Sequence, residues 1–252
     1  MSGRVLIVPT MTAGGAVQMA LDDELLDEAE TATARRYLWA PPTVSLGKFQ
    51  KLHGAVRVWP DEQEERGECD EGADRHEEPT PSAHAEVEPL AIVRRPSGGR
   101  AVLHGAGFEW SFALVLLRAD LQSDSLQASY RFVNGAFSRA LSDLGVPLDD
   151  ARETPYQRSG LCFATALRHD LSVAGGKVVA IAQARRGERV LVHGSVLERR
   201  PPQALTAQVE RLVGEPWQGE GLAAAGVALD GEEVFARFIA YVEAVLPHGA
   251  GG

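Results

Sequence analysis

Cysteine is scarce in this 252-residue chain, which has only Cys69 and Cys162. Two thiols cannot build a disulfide framework and suit a reducing compartment, so a cytoplasmic protein is expected. No apolar run approaches the roughly 20 residues of a membrane span. The first twelve residues lack a basic start followed by a long apolar stretch, so neither a membrane protein nor a secreted precursor is expected. Lys and Arg are outnumbered by Asp and Glu, 25 to 35. Without clustered cations there is no electrostatic case for nucleic acid. The HExxH and CxxC spacings of metal sites are missing, and no metal is expected. The GxxxxGK[ST] phosphate loop is also missing. No GxSxG elbow occurs, which leaves a Ser–His–Asp triad without sequence support.

The acid that is present is concentrated. Residues 61–88 hold twelve acidic residues against Arg66 and Arg75, an excess equal to the whole net charge of −10. The stretch has one Val and no other large apolar residue. It cannot bury enough surface to offset its ordering entropy, and a disordered loop insertion is expected there. Runs at 55–59 and 90–94, on either side, read as short strands. The other 224 residues are neutral overall and suffice for a single α/β domain spanning 1–252, expected as a monomer.

Hydrophobic period sets out the elements. Residues 5–8 read as a strand, and 13–30 as a helix with Val17, Leu21 and Leu25 on its core face. Residues 130–144 repeat Phe132/Val133, Ala136/Phe137 and Ala140/Leu141 at helical spacing. Strand-like runs at 171–173, 178–182 and 190–192 are separated by Gly175-Gly176 and Arg186-Gly187, giving a meander. Two late amphipathic helices carry Leu205/Val209/Leu212 and Val234/Phe235, Phe238/Ile239, Val242. The order predicts mixed sheets packed with helices.

Four segments carry chemistry. RRPSGGRAVLH (94–104) follows a strand; Gly98 and Gly99 permit positive φ and close backbone approach to a ligand. Its amides, flanked by Arg95 and Arg100, suit a phosphate or carbonyl oxygen. GLCFATALRHD (160–170) places Cys162 after a polar loop rather than inside a strand, where a nearby cation would favour the thiolate. GGKVVAIAQAR (175–185) opens a strand with Lys177. LVHGS (191–195) ends a strand with a His-Gly pair.

Taken in order, these segments resemble the lipoate–protein ligase A and lipoyl(octanoyl)transferase family. RRPSGGRAVLH is similar to its RRxSGG(G/R)AVxH loop and PTVSLGKFQ (42–50) to its PxxSLGxxQ strand-turn. DLSVAGGKVVAIAQ (170–183) is similar to its hydrophobic, GxK-containing segment, and VHGSVL (192–197) to its xHGxLL ending. The resemblance runs from about Met19 to Leu197, interrupted only by the acidic insertion. It implies mixed sheets in a class II aminoacyl-tRNA synthetase or biotin ligase-like catalytic domain. The GRGRxGR-type loop of biotin ligases is absent. The resemblance puts Lys177 at the acyl carbonyl, and substrate contacts on Arg95, Ser97, Gly98, Gly99, Arg100, Ala101, Val102, His104, Ala182, His193 and Gly194. Three departures stand out: Gly105 follows His104 where Asp is common, Ile181 replaces a small residue, and Glu109-Trp110 precede Ser111-Phe112.

Two reactions fit. A ligase activates lipoate with ATP and Mg as an adenylate; a transferase takes octanoate from acyl carrier protein onto a cysteine. Either delivers to a lysine of a lipoyl domain or of the glycine cleavage H protein, and only the second needs an enzyme nucleophile. Cys162-Phe163 resembles the CF pair of the cysteine-dependent octanoyltransferases, and Gly99-Arg100-Ala101 their GGRAV. Only 59 residues follow His193, room for two helices but not for the accessory domain of large ligases. The expected enzyme is therefore a cofactor-free octanoyltransferase with Cys162 and Lys177 as its catalytic pair, with the ligase as the alternative. Backbone amides at 98–101 are expected to stabilise the oxyanion. Val102, Leu103, Val179 and Ile181 are the expected walls of the acyl slot.

Overall fold

The computed structural model describes residues 5–51, 89–150, 159–166, 170–227 and 229–247. The acidic segment 61–88 and the strand expected at 55–59 lie outside them. Among the described residues no helix is long and apolar enough to cross a membrane.

Among the described residues, nine strands form two sheets. β1 (Leu6–Ala13), β2 (Thr33–Trp39), β6 (Glu109–Leu117), β9 (Arg189–Leu197), β8 (Gly176–Arg186) and β7 (Leu171–Val173) make a six-stranded sheet in the order β1-β2-β6-β9-β8-β7. Only the β1–β2 pair is parallel. β4 (Ala91–Arg94), β3 (Thr43–Leu46) and β5 (Val102–His104) make a second sheet, with β3 central. The expected meander is β7-β8-β9, antiparallel throughout. β2 and β6, which the sequence reading passes over, are the centre of the large sheet. β6 is buried along nearly its whole length on both faces, so its side chains do not alternate in polarity as a half-exposed strand would.

Strand parity divides the large sheet into two environments. Trp110, Phe112, Leu114 and Leu116 of β6 face helices α2 (Leu126–Asp143) and α4 (Gly231–Val245). There Phe137 and Phe238 stack with ring centroids 4.0 Å apart, and Phe112 lies 4.7 Å from Phe137. The alternate residues Ala113 and Val115 face helix α1 (Gly15–Glu28), with Tyr37, Trp39 and Leu191. The small sheet packs on helix α3 (Gln203–Val213) and on the 160–164 segment through Val44, Leu103, Leu161, Phe163 and Val209.

The face of α1 is a correction. Val17 is 50% exposed, while Gln18, Met19, Asp22 and Leu26 are turned inward. Apolar spacing misplaces the buried face because two of its inward side chains are polar, and both bond to a buried arginine described below.

Candidate active site

The segments singled out in the sequence meet where the two sheets adjoin. Gly47, at the end of β3, abuts the Gly98-Gly99 turn so closely that a Cβ on it would lie 2.1 Å from the Gly99 carbonyl oxygen. Gly99 itself has φ +101°, a conformation that favours glycine. The Lys48 N–H donates to the Ser97 carbonyl at 2.8 Å, and Gln50 Nε2 donates to the Gly160 carbonyl at 2.9 Å. Arg95 knits the turn from beneath, donating to the Ser45 carbonyl (2.8 Å), Ser45 Oγ (2.6 Å) and the Arg100 carbonyl (2.8 Å). Cys162 is clipped beside this turn by two backbone bonds, Ala101 N–H to Gly160 O and Cys162 N–H to Ala101 O, each 2.9 Å.

A cleft of about 410 Å³ runs from this turn across the large sheet. Of the residues expected to bind substrate, Arg95, Gly99, Arg100, Val102, His104, Ala182, His193 and Gly194 line it together with Cys162. The others are placed differently. Ser97 is buried under the turn and Gly98 is exposed on top of it. Ala101 is buried and its N–H is taken by Gly160, so that amide is not available to an oxyanion. Leu103 belongs to the core under the small sheet and Val179 to the core under α2 and α4. Ile181 borders the cleft, but it pairs with Gly194 and packs toward the α2–α4 core; Ala180 and Ala182 share the face of Ser195 and His193. The cleft wall contributed by β8 is therefore made of Ala180, Ile181 and Ala182, two of them small.

Lys177 lies behind Cys162, against a second cleft of about 620 Å³ that Phe163, Ala164, Gly175 and Gly176 also border. Its ammonium is buried and 2.7 Å from Asp170. Burial works against the charged amine, but the negative charges of Cys162 and Asp170 outweigh it and raise the Lys177 pKa. Burial lowers the Arg95 pKa, against an opposing pull from Cys162. Arg100 Nη1 donates to Thr165 Oγ1 at 2.5 Å. The charges of both Lys177 and Arg95 interact with Cys162.

Both cleft histidines belong to buried polar chains. His193 Nε2 lies 2.5 Å from Ser97 Oγ and Nδ1 2.7 Å from Asp22 Oδ2. Asp22 accepts from Arg35 at 2.6 and 3.0 Å and from the Tyr37 hydroxyl at 3.1 Å. Burial would raise the Asp22 pKa, but bonding to His193 and the Arg35 charge lower it overall. His104 Nε2 lies 2.6 Å from Ser45 Oγ, and Nδ1 3.1 Å from Glu109 Oε1. Glu109 also accepts from the Ser111 and Ser195 hydroxyls and the Gly105 N–H. Burial lowers the His104 pKa in spite of Glu109, so the ring is held neutral. Trp39 stacks on that ring at 4.0 Å and donates its indole N–H to Ser111 Oγ at 2.8 Å.

One departure from the family pattern finds a local account here. A Cβ at Gly105 would lie 2.6 Å from the Phe108 ring, so no side chain fits, and the carboxylate reaching His104 comes from Glu109 instead. Sequence reasoning missed Asp22, Arg35, Tyr37, Trp39, Ser45 and Glu109. The i, i+4 pair Gln18 and Asp22, both on the Met19 side of α1, was the available signal for a buried polar stripe.

Residues 73–210 match the Lipoyl protein ligase A/B catalytic domain. The chain is 32% identical over 190 residues to octanoyltransferase LipM of Carboxydothermus hydrogenoformans, covering 73% of this chain and 61% of that protein. It is 32% identical over 189 residues to octanoyltransferase LipM of Moorella thermoacetica, covering 71% of this chain and 59% of that protein. It thus spans about six-tenths of the length of these relatives. Its fold is similar to a lipoate–protein ligase A solved with ATP: TM-score 0.64, 19% identity, 97% of this chain and 85% of the other. It is also similar to a bipartite lipoate protein ligase studied with its E2 lipoyl domain, from Thermoplasma acidophilum: TM-score 0.58, 19% identity, 97% and 84% covered. The mixed sheets and helices are those of lipoate–protein ligases, as the sequence led us to expect.

Proposed function

Since the chain belongs to the lipoyl protein ligase A/B catalytic domain family, we propose that it moves an octanoyl group from acyl carrier protein to a lysine of a lipoyl carrier through a thioester on Cys162. The observation that carries this reading is the place of Cys162, in the wall of the cleft between the Gly99-Arg100 turn and the buried Lys177. The octanoyltransferase names of the relatives favour this acyl group, and the E2 lipoyl domain studied with the archaeal ligase favours a lipoyl domain, or the related glycine cleavage H protein, as acceptor.

In the first half-reaction the Cys162 thiolate attacks the carbonyl carbon of the carrier thioester. A new C–S bond forms, the old one breaks, and the carrier thiolate leaves and takes up a proton. In the second, the neutral amine of the acceptor lysine attacks the same carbon; a C–N bond forms, the Cys162 thiolate leaves, and the nitrogen gives up a proton to solvent or base. Charge developing on the carbonyl oxygen faces the Gly99-Arg100 turn and the neighbouring guanidinium groups, the electrostatic arrangement such a step needs. The Lys177 charge interacts favourably with a negative charge on the Cys162 sulfur, the form that attacks in the first step and leaves in the second. Thioester exchange is near thermoneutral and amide formation is downhill, so the sequence of steps needs no ATP. The alanine-lined wall leaves room for the alkyl chain; burying about six methylenes at ~0.8 kcal/mol each favours binding by roughly 5 kcal/mol.

The test is to mix the protein with octanoyl acyl carrier protein, without ATP, and record intact mass. A thiol-labile octanoyl adduct, absent in Cys162→Ala, is expected. Absence of any adduct, with lipoylation of a carrier on adding lipoate, ATP and Mg, would replace this reading by the ligase.

A further inference from the structure

Ser97, His193 and Asp22 come from the turn after β4, from β9 and from α1, and they form one continuous hydrogen-bonded chain beneath the Arg95–Arg100 turn. Their exposures are 1%, 2% and 0%. The order of groups is that of a serine hydrolase triad, but the hydroxyl is sealed, and the cleft wall beside it is formed by Arg95, Gly99 and Arg100. Both ring nitrogens of His193 are engaged within the chain, so the ring does not act on a substrate unless one of these bonds opens. What it transmits is orientation. Asp22, held as a carboxylate by Arg35 and Tyr37, has no proton to give, so His193 Nδ1 must donate to it. That leaves the Nε2 lone pair to accept from Ser97, which fixes the direction of the hydroxyl. Ser97 is also pinned through its carbonyl by the Lys48 N–H.

We propose that Asp22 is a positioning residue for acyl transfer: through the tautomer of His193 it locks Ser97, and with it the turn that carries Arg95, Gly99 and Arg100 into the cleft. The proposal rests on the transfer reading above. A carboxamide in place of Asp22 can donate to Nδ1 and so favour the opposite tautomer, in which Nε2–H points at Ser97 and the hydroxyl must rotate. Misplacing a reacting geometry by about 1 Å costs on the order of 10²-fold in rate.

Two measurements test it. The first, ring ¹⁵N NMR of His193, needs no substrate. We expect the Nδ1–H form in the wild type and a shift toward Nε2–H in Asp22→Asn; a wild-type Nε2–H form or an imidazolium at neutral pH would overturn the proposal. The second is octanoyl transfer by the whole protein. Asp22→Asn and Ser97→Ala are each expected to lose about 10²-fold in kcat, with KM for the acyl carrier changed by less than threefold. The double variant should be no slower than the worse single one, because both break the same chain. Turnover of either single variant within threefold of wild type, or losses that multiply in the double variant, would overturn it. Should Asp22→Asn fail to fold, Ser97→Ala carries the kinetic test alone. Labelling of Ser97 by a fluorophosphonate would also overturn the proposal, by making the hydroxyl a nucleophile. A wild type that forms no octanoyl adduct would sink the transfer reading instead, leaving the NMR result to stand separately.

Discussion

The two histidines that face the cleft are held by the same sequence of groups, hydroxyl to imidazole to carboxylate, yet the cation sits at opposite ends. In one chain, Ser97–His193–Asp22, Arg35 closes the carboxylate end with two short bonds. In the other, Ser45–His104–Glu109, Arg95 is at the hydroxyl end, and Glu109 is held by two serine hydroxyls, the His104 ring and the Gly105 amide. A buried ion pair is costly to assemble and costlier to break, because removing one partner strands the other charge. The Asp22 chain is therefore the more rigid anchor and the more vulnerable to truncation. Arg95, by contrast, lies in the cleft wall, so the Glu109 chain ends on a residue that a ligand can touch. One chain fixes the turn to the scaffold and the other links the scaffold to the substrate side.

Four measurements sharpen or break that contrast. Arg35→Met leaves Asp22 buried without its cation and should cost about 3–5 kcal/mol in urea denaturation. Glu109→Gln keeps shape and most hydrogen bonds while removing a charge, and should cost about 1–3 kcal/mol. If both changes cost the same, the distinction between a cation-closed and a hydroxyl-closed carboxylate fails. Trp39→Phe removes the indole donor to Ser111 but keeps a ring over His104; about 1 kcal/mol is expected from the same titration.

The smallest effect is a slope in stability against pH. The folded His104 pKa lies below its unfolded value of about 6.5, so the unfolded state binds the proton first. Its contribution is complete above that pH and is lost as pH falls toward the folded pKa. Asp22, also depressed, contributes above about pH 3.9 and is lost as pH falls through its folded pKa. Between pH 6.5 and 4 the Glu109 chain should therefore weaken while the Asp22 ion pair persists. In His104→Gln, unfolding free energies over that range should show a shallower slope; an unchanged slope would place the titration elsewhere.

Much of this was legible in the residues. β7 at 171–173, the meander, α2 and the two late helices follow from period and turn residues, which are local properties. The loop motifs were legible only taken together and in order, because a glycine pair after a strand is by itself more often an ordinary turn than a ligand loop. β2 and β6 were not, because a strand buried on both faces loses the alternation that marks a strand, and β2 includes two arginines that read as surface charge. Arg35, Asp22 and Glu109 each look like ordinary solvated residues, since a charge pattern does not reveal a partner 13 residues or a whole sheet away. The inward face of α1 was misread for the same reason.

The sequence by itself determined the alternation of strands and helices, the family, and the candidate nucleophile with its lysine, because these depend on residue type and spacing along the chain. Tertiary structure alone decided that Ser97 ends beneath the turn rather than in the cleft, and that Ala180 and Ala182 join Ile181 in lining it. It also decided that one histidine is oriented by a carboxylate from a distant helix, Asp22, and the other by one from the next strand, Glu109. Each of those outcomes depends on strand register and on burial, which turn an ordinary surface charge into a paired interior one only after the sheets have closed.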